Sequence, residues 1–155
     1  MINDGRSLYL DYSERFKQLG DLEPVITGFF HKDALINIVH PFNQINGPKF
    51  YLEQFLLPLQ DSLKGLYRRD DIFMLGEFEG HKWISSMGYY VGQFTKDWIG
   101  IKASGNLSYL RYGEFHRIGN DRAVESYIFL DIPELMISCN QWPLDIGPGH
   151  SRGYT

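Results

Sequence analysis

Through roughly the first 65 positions, apolar residues recur at steps of three and four; through the next 65 they gather in runs suited to strands. Leu8, Tyr12, Arg15, Phe16 and Leu19 form a helical stripe within residues 6–19. Asp21-Leu22-Glu23-Pro24 reads as a second helix start, with Asp21 as cap and Pro24 in the first turn. Ala34 to Val39 fits either a helix end or a strand. His40-Pro41-Phe42-Asn43-Gln44-Ile45-Asn46-Gly47-Pro48 has the composition of a loop. A third helix is expected from Pro48, carried by Leu52, Phe55, Leu56, Leu59 and Leu63, and kinked where Pro58 removes a donor.

Beyond Gly65 the period shortens. Strands are expected at residues 72–78, 83–94, 107–118 and 122–132, with a turn at 79–82. Gly88 and Gly92 in the long second strand point to bulges or bends in a curved sheet. A connection spans 95–105, a short helix opens at Pro133, and a Gly/Pro-rich tail follows. Helices first and long strands afterwards make an α+β pattern, with a curved antiparallel sheet wrapped around the N-terminal helices. One domain at 1–145 and a tail at 146–155 account for the length.

Composition narrows the function. The 155 residues include 11 Phe, 10 Tyr and 3 Trp, which suits a ring-lined interior. The net charge is −4, and Arg68-Arg69 is answered at once by Asp70-Asp71, so a nucleic-acid partner is not expected. Cys139 is the single cysteine and the histidines lack metal spacing, so neither a disulfide nor a metal site is expected. The N-terminus has no signal-peptide stretch and no apolar run is long enough for a membrane helix, so a cytoplasmic location with no membrane partner is expected.

The last hairpin carries the candidate chemistry. With Asn120-Asp121 as a two-residue turn, His116 faces Glu125, Glu114 faces Tyr127, Tyr112 faces Phe129 and Leu110 faces Asp131. All eight side chains then share one face of the sheet; a one-residue slip would move Asp131 to the other. Asp131 ends an apolar run. It reads either as a desolvated general base or as the N-cap of the helix at Pro133. His116 reads either as a catalyst or as a satisfied strand histidine tuned by Glu125.

Tyr112-Gly113-Glu114-Phe115-His116-Arg117-Ile118, then Val124-Glu125 and Leu130-Asp131-Ile132-Pro133-Glu134-Leu135-Met136, resembles the end of a SnoaL-like polyketide cyclase domain of the nuclear transport factor 2-like superfamily. His40-Pro41-Phe42-Asn43 before Gly47-Pro48 is similar to that group's loop before its third helix. The resemblance implies a cone-shaped α+β barrel of the cystatin-like type, a homodimer through the convex sheet face, and an apolar pocket for a small hydrophobic ligand. It implies Asp131 as acid/base in an aldol cyclisation or isomerisation, assisted by His116, with no metal or organic cofactor. Tyr112, Glu114, Tyr127, Phe129, Trp98, Phe42 and His40 are then the expected substrate contacts. A ketosteroid-isomerase-like proton shuttle is a further option whose paired acid donors the sequence leaves unplaced. An epoxide-hydrolase arrangement is incomplete, because Gly113 stands where the Asp two residues from Arg111 is needed. A non-catalytic ligand-binding or dimerisation domain of the same fold is the alternative. A cavity plugged by aromatic side chains would favour a scaffold.

Overall fold

The computed structural model describes residues 5–17 and 21–143. Two helices, α1 (Arg6–Lys17) and α2 (Glu23–Phe29), precede strand β1 (Phe30–Ile38). The ambiguous segment at 34–39 therefore belongs mainly to a strand. Its alternating burial, with Ala34, Ile36 and Ile38 inside, shows why period two prevails there. The loop that follows contains a short strand, β2 (Gln44–Asn46).

A helical segment runs from α3 (Pro48–Tyr51) through a π turn at Leu52–Leu56 into α4 (Leu57–Ser62). The π turn lies just before Pro58, where the ring and missing N–H disturb the regular ladder; Leu57 N–H donates to Leu52 O, one residue further back than in an α-helix. The expected kink thus takes the form of a widened turn.

Four long strands complete the sheet: β3 (Leu63–Phe78), β4 (His81–Phe94), β5 (Leu107–Gly119) and β6 (Arg122–Leu130), followed by α5 (Ile132–Ser138). β3 begins nine residues before the expected strand at 72. The strand order is β2-β1-β6-β5-β4-β3. The sheet is mixed rather than wholly antiparallel, because β1 runs parallel to β6. The segment 95–105 is a loop held by a Trp98–Ile101 bridge.

Two register shifts bend β3 against β4, one opposite Gly92 and one beside Gly88. A Cβ at Gly88 would lie 1.9 Å from Arg69 O, so only glycine permits this approach. The concave face packs on α1, α2 and the helical segment through Tyr9, Tyr12, Ile26, Phe29, Tyr51, Phe55, Leu110 and Ile128, all buried. No helix among the described residues is long and apolar enough to cross a membrane. The expected 146–155 tail lies outside the described residues.

Candidate functional site

The concave face carries a charged network where an apolar core would be expected. Arg68 is fully buried and its guanidinium meets Glu114 in a two-point pair, with Nη2 donating to Oε1 at 2.8 Å and Nη1 to Oε2 at 2.9 Å. Nη1 also donates to the Tyr90 hydroxyl at 2.9 Å, and Nε donates to Asp70 Oδ1 at 3.1 Å. The guanidinium carbon lies 4.1 Å from the Tyr112 ring centroid and 5.3 Å from that of Tyr12, so ring faces replace water around the cation. Glu114 also meets His116 Nε2 at 2.9 Å, while His116 Nδ1 lies 2.7 Å from Ser126 Oγ. An ionised carboxylate only accepts, so Nε2 carries a proton. Burial pushes the Glu114 carboxyl up, but Arg68 and the His116 hydrogen bond outweigh it and hold it down at about 2.

Asp70 is the outer end of this network. Its side chain is 8% exposed and collects several donors. Tyr9 donates to Oδ1 at 3.0 Å, Ser13 donates to Oδ2 at 2.5 Å, and Tyr112 donates to Oδ1. Burial pushes the Tyr9 phenol far above its usual value, so it remains a protonated donor. Alternation along β3 turns Arg68 and Asp70 inward and leaves Arg69 and Asp71 to pair outside at 2.8 Å. Among the described residues no group of three or more His, Cys, Asp or Glu is arranged to hold a metal ion.

The structure divides the expected site residues between two faces. Asn120 and Asp121 do form the turn, with φ of 52° and 56°, and Gly119 pairs Arg122. A register shift at Val124 then displaces every later pair by one. Arg117 pairs Glu125, His116 pairs Ser126, Glu114 pairs Ile128 and Tyr112 pairs Leu130. The expected facing of His116 with Glu125, Glu114 with Tyr127, Tyr112 with Phe129 and Leu110 with Asp131 is thereby corrected; the Asp131 N–H donates to Arg111 O instead. Tyr112, Glu114 and His116 stay inside, while Glu125, Tyr127 and Phe129 turn to the outer face.

Asp131 is separated from His116 as well. Its carboxylate accepts from the Glu134 N–H at 3.0 Å and caps α5, which is the N-cap reading, and it lines an outer groove with Arg111 and Phe129. Phe42 and Trp98 do meet, with ring centroids 6.0 Å apart, while His40 is exposed on its loop. Tyr9, Tyr12, Ser13, Arg68, Asp70 and Tyr90 escaped the sequence reading. The available signal was the Arg68-x-Asp70 spacing, which places both residues on one face once β3 is extended back to Leu63.

The outer face carries an apolar groove among these charges. Met74, Phe78, Trp83, Phe115, Tyr127 and Phe129 line a groove of about 580 Å³. Around it Glu125 accepts from Tyr127 at 2.5 Å and from Arg117 at 3.1 Å.

Solved structures share this architecture. AclR, a proposed hydroxylase of Streptomyces galilaeus, superposes with a TM-score of 0.74 at 13% identity, covering 94% of this chain and 89% of its own. IdmH, a proposed polyketide cyclase of Streptomyces antibioticus, gives 0.67 at 14% identity over 89% and 99%. A proposed SnoaL-like polyketide cyclase of Jannaschia sp. CCS1 gives 0.70 at 13% identity over 91% and 94%. No protein-family model and no curated protein matches the chain. At these identities the likeness establishes the fold: the chain has the SnoaL-like, nuclear transport factor 2-like architecture.

Proposed function

We propose that this chain carries out cofactor-independent proton transfer on a small hydrophobic carbonyl compound, with Asp70 as the base. One observation carries the reading: the carboxylate at the least deeply buried end of an ionic network gathers two phenols and a hydroxyl. A buried network of this kind is a weak source of stability and is a common mark of a functional site. Tyr9 and Tyr112 supply the paired acid donors of a proton shuttle. A substrate carbonyl draws these phenols off Asp70; they then bond to its oxygen as the enolate forms. Asp70, relieved of two donors, takes the proton from the adjacent carbon. Arg68 holds Asp70 in place, and Glu114 with His116 holds Arg68. His116 thus acts as a positioning residue, with both ring nitrogens engaged inside the network.

The test is exchange of carbon-bound protons into D2O, followed by NMR with 2-tetralone and a panel of polyketide-like and steroid-like ketones. Wild type is expected to exchange the protons next to the carbonyl, and Asp70→Asn to lose about 10²- to 10⁴-fold in rate. Ketones that bind wild type and never exchange would overturn the catalytic reading and leave a binding domain, for which the close filling of the interior by Arg68 and rings already speaks.

The outer face supports homodimer formation in addition. Phe115, Phe129, Met87 and Met74 are 46%, 53%, 49% and 57% exposed on one sheet surface. Soluble monomers rarely display a contiguous apolar surface of this kind. A second copy, offering the same surface, is the occupant proposed.

A further inference from the structure

One hydroxyl beside the ionic network makes no hydrogen bond. Ser86 stands on β4 with its side chain inward, 1% exposed, and its Oγ is buried without a partner. Buried hydroxyls are ordinarily paired, so this one points to a state of the protein in which it is.

The sheet register places Ser86 between Phe73 of β3 and Glu114 of β5. The Tyr9 ring lies 5.0 Å from the Phe73 ring, so α1 brings its phenol over this row. Burial raises the Tyr9 phenol most; Arg68 opposes it, Asp70 and Glu114 add to it, and the neighbouring Ser86 hydroxyl lowers it. The two hydroxyls are thus close, yet they stop short of hydrogen-bond geometry. The other acceptors of the row are taken. Glu114 is held by Arg68 and His116, and Asp70 by Arg68 and three hydroxyls. The Tyr9 oxygen gives its hydrogen to Asp70 and receives none among the described residues, so it keeps a lone pair for a donor.

We propose that Ser86 is a positioning residue for Tyr9: as a substrate carbonyl draws the phenol off Asp70, the Ser86 hydroxyl donates to the phenol oxygen and holds Tyr9 as a donor to the forming enolate. The inference rests on the proton-transfer reading above. A phenol oxygen that accepts a hydrogen bond is itself a stronger donor. The carbon-bound proton still passes to Asp70 and its electron pair to the enolate, while both hydroxyl hydrogens stay on their own oxygens. Because the Ser86 bond is absent at rest, it speeds the chemical step without aiding substrate binding.

Ser86→Ala removes the hydroxyl alone. In the D2O exchange assay with 2-tetralone, kcat is expected to fall about 2- to 12-fold with KM unchanged. The Tm of the free variant should equal or exceed that of wild type, because the hydroxyl is unpaired at rest. A second readout needs no turnover. Difluorotyrosine in place of Tyr9 ionises at lower pH than tyrosine, and 19F NMR follows its titration. The ionised oxygen only accepts, so Ser86 turns to it, and Ser86→Ala should weaken its ionisation about 2- to 12-fold and move the midpoint to higher pH. A structural serine would move neither kcat alone nor this midpoint. An unmoved or lowered midpoint, an effect confined to KM, or a lower Tm would overturn the proposal. A raised midpoint in a protein that exchanges no ketone sustains the Ser86–Tyr9 pairing and removes the catalytic reading. Exchange with a kcat indifferent to Ser86 does the reverse.

Discussion

Glu114→Gln isolates the energetic centre of the interior. The substitution keeps the shape of the side chain and removes one charge opposite a fully buried Arg68. The magnitude follows from the carboxyl itself. Its fall from an ordinary 4.5 to about 2, at about 1.4 kcal/mol for each pH unit, corresponds to about 3 kcal/mol of folding free energy. Loss of one partner from a buried pair costs about 3–5 kcal/mol, in the same range. For a domain of this size that is a fall in Tm of about 6–12 °C at pH 7. The sign with pH follows from the lowered value. The stabilisation is complete above the unfolded carboxyl's range near 4.5, and it is lost as pH falls through the folded value near 2. Thermal denaturation of wild type and variant between pH 7 and pH 2.5 reads the difference directly. A wide gap at pH 7 that narrows steadily below pH 5 is expected. A gap independent of pH, or no gap at neutral pH, would refute the assignment of Glu114 as the buried counter-charge of Arg68.

Three other outcomes are expected. Asp131→Ala should lower stability by about 1 kcal/mol in urea denaturation, while Asp131→Asn retains most of the cap and both leave proton exchange unchanged; loss of exchange would return the base to Asp131. Phe129→Glu on the outer face should shift the particle from dimer to monomer in sedimentation while the fold persists by circular dichroism; a wild-type protein that is already monomeric would remove the proposed interface. Gly88→Ala forces a methyl against Arg69 O and should cost about 2 kcal/mol or more in stability. It should also disturb Asp70 on the facing strand, visible as slower exchange in whatever fraction remains folded.

Much of the architecture was legible because local periodicity reports it. The stripe Tyr12–Phe16 in α1, the Asn120-Asp121 turn and the long strands of the second half follow from side-chain spacing and from residues that tolerate positive φ. Gly88 and Gly92 announced the bending of the β3–β4 pair, although the extra residues stand on β3 rather than on β4. The candidate site was less legible. Its sides were read from a uniform hairpin register, and the single displaced residue at Val124 carried Tyr127 and Phe129 to the outer surface. Arg68-Arg69-Asp70-Asp71 read only as a run whose charges cancel, because nothing local separates the two residues that turn inward from the two that stay in water.

The sequence alone determined which segments alternate, where they turn, and that aromatic residues abound; those are short-range properties, expressed within a few residues. Only the tertiary structure decided that Arg68 lies beneath Tyr112 and beside Glu114, 46 residues further along the chain. No local pattern marks a buried guanidinium, because its burial is tolerable only once remote strands and α1 supply the carboxylates and rings that replace its water.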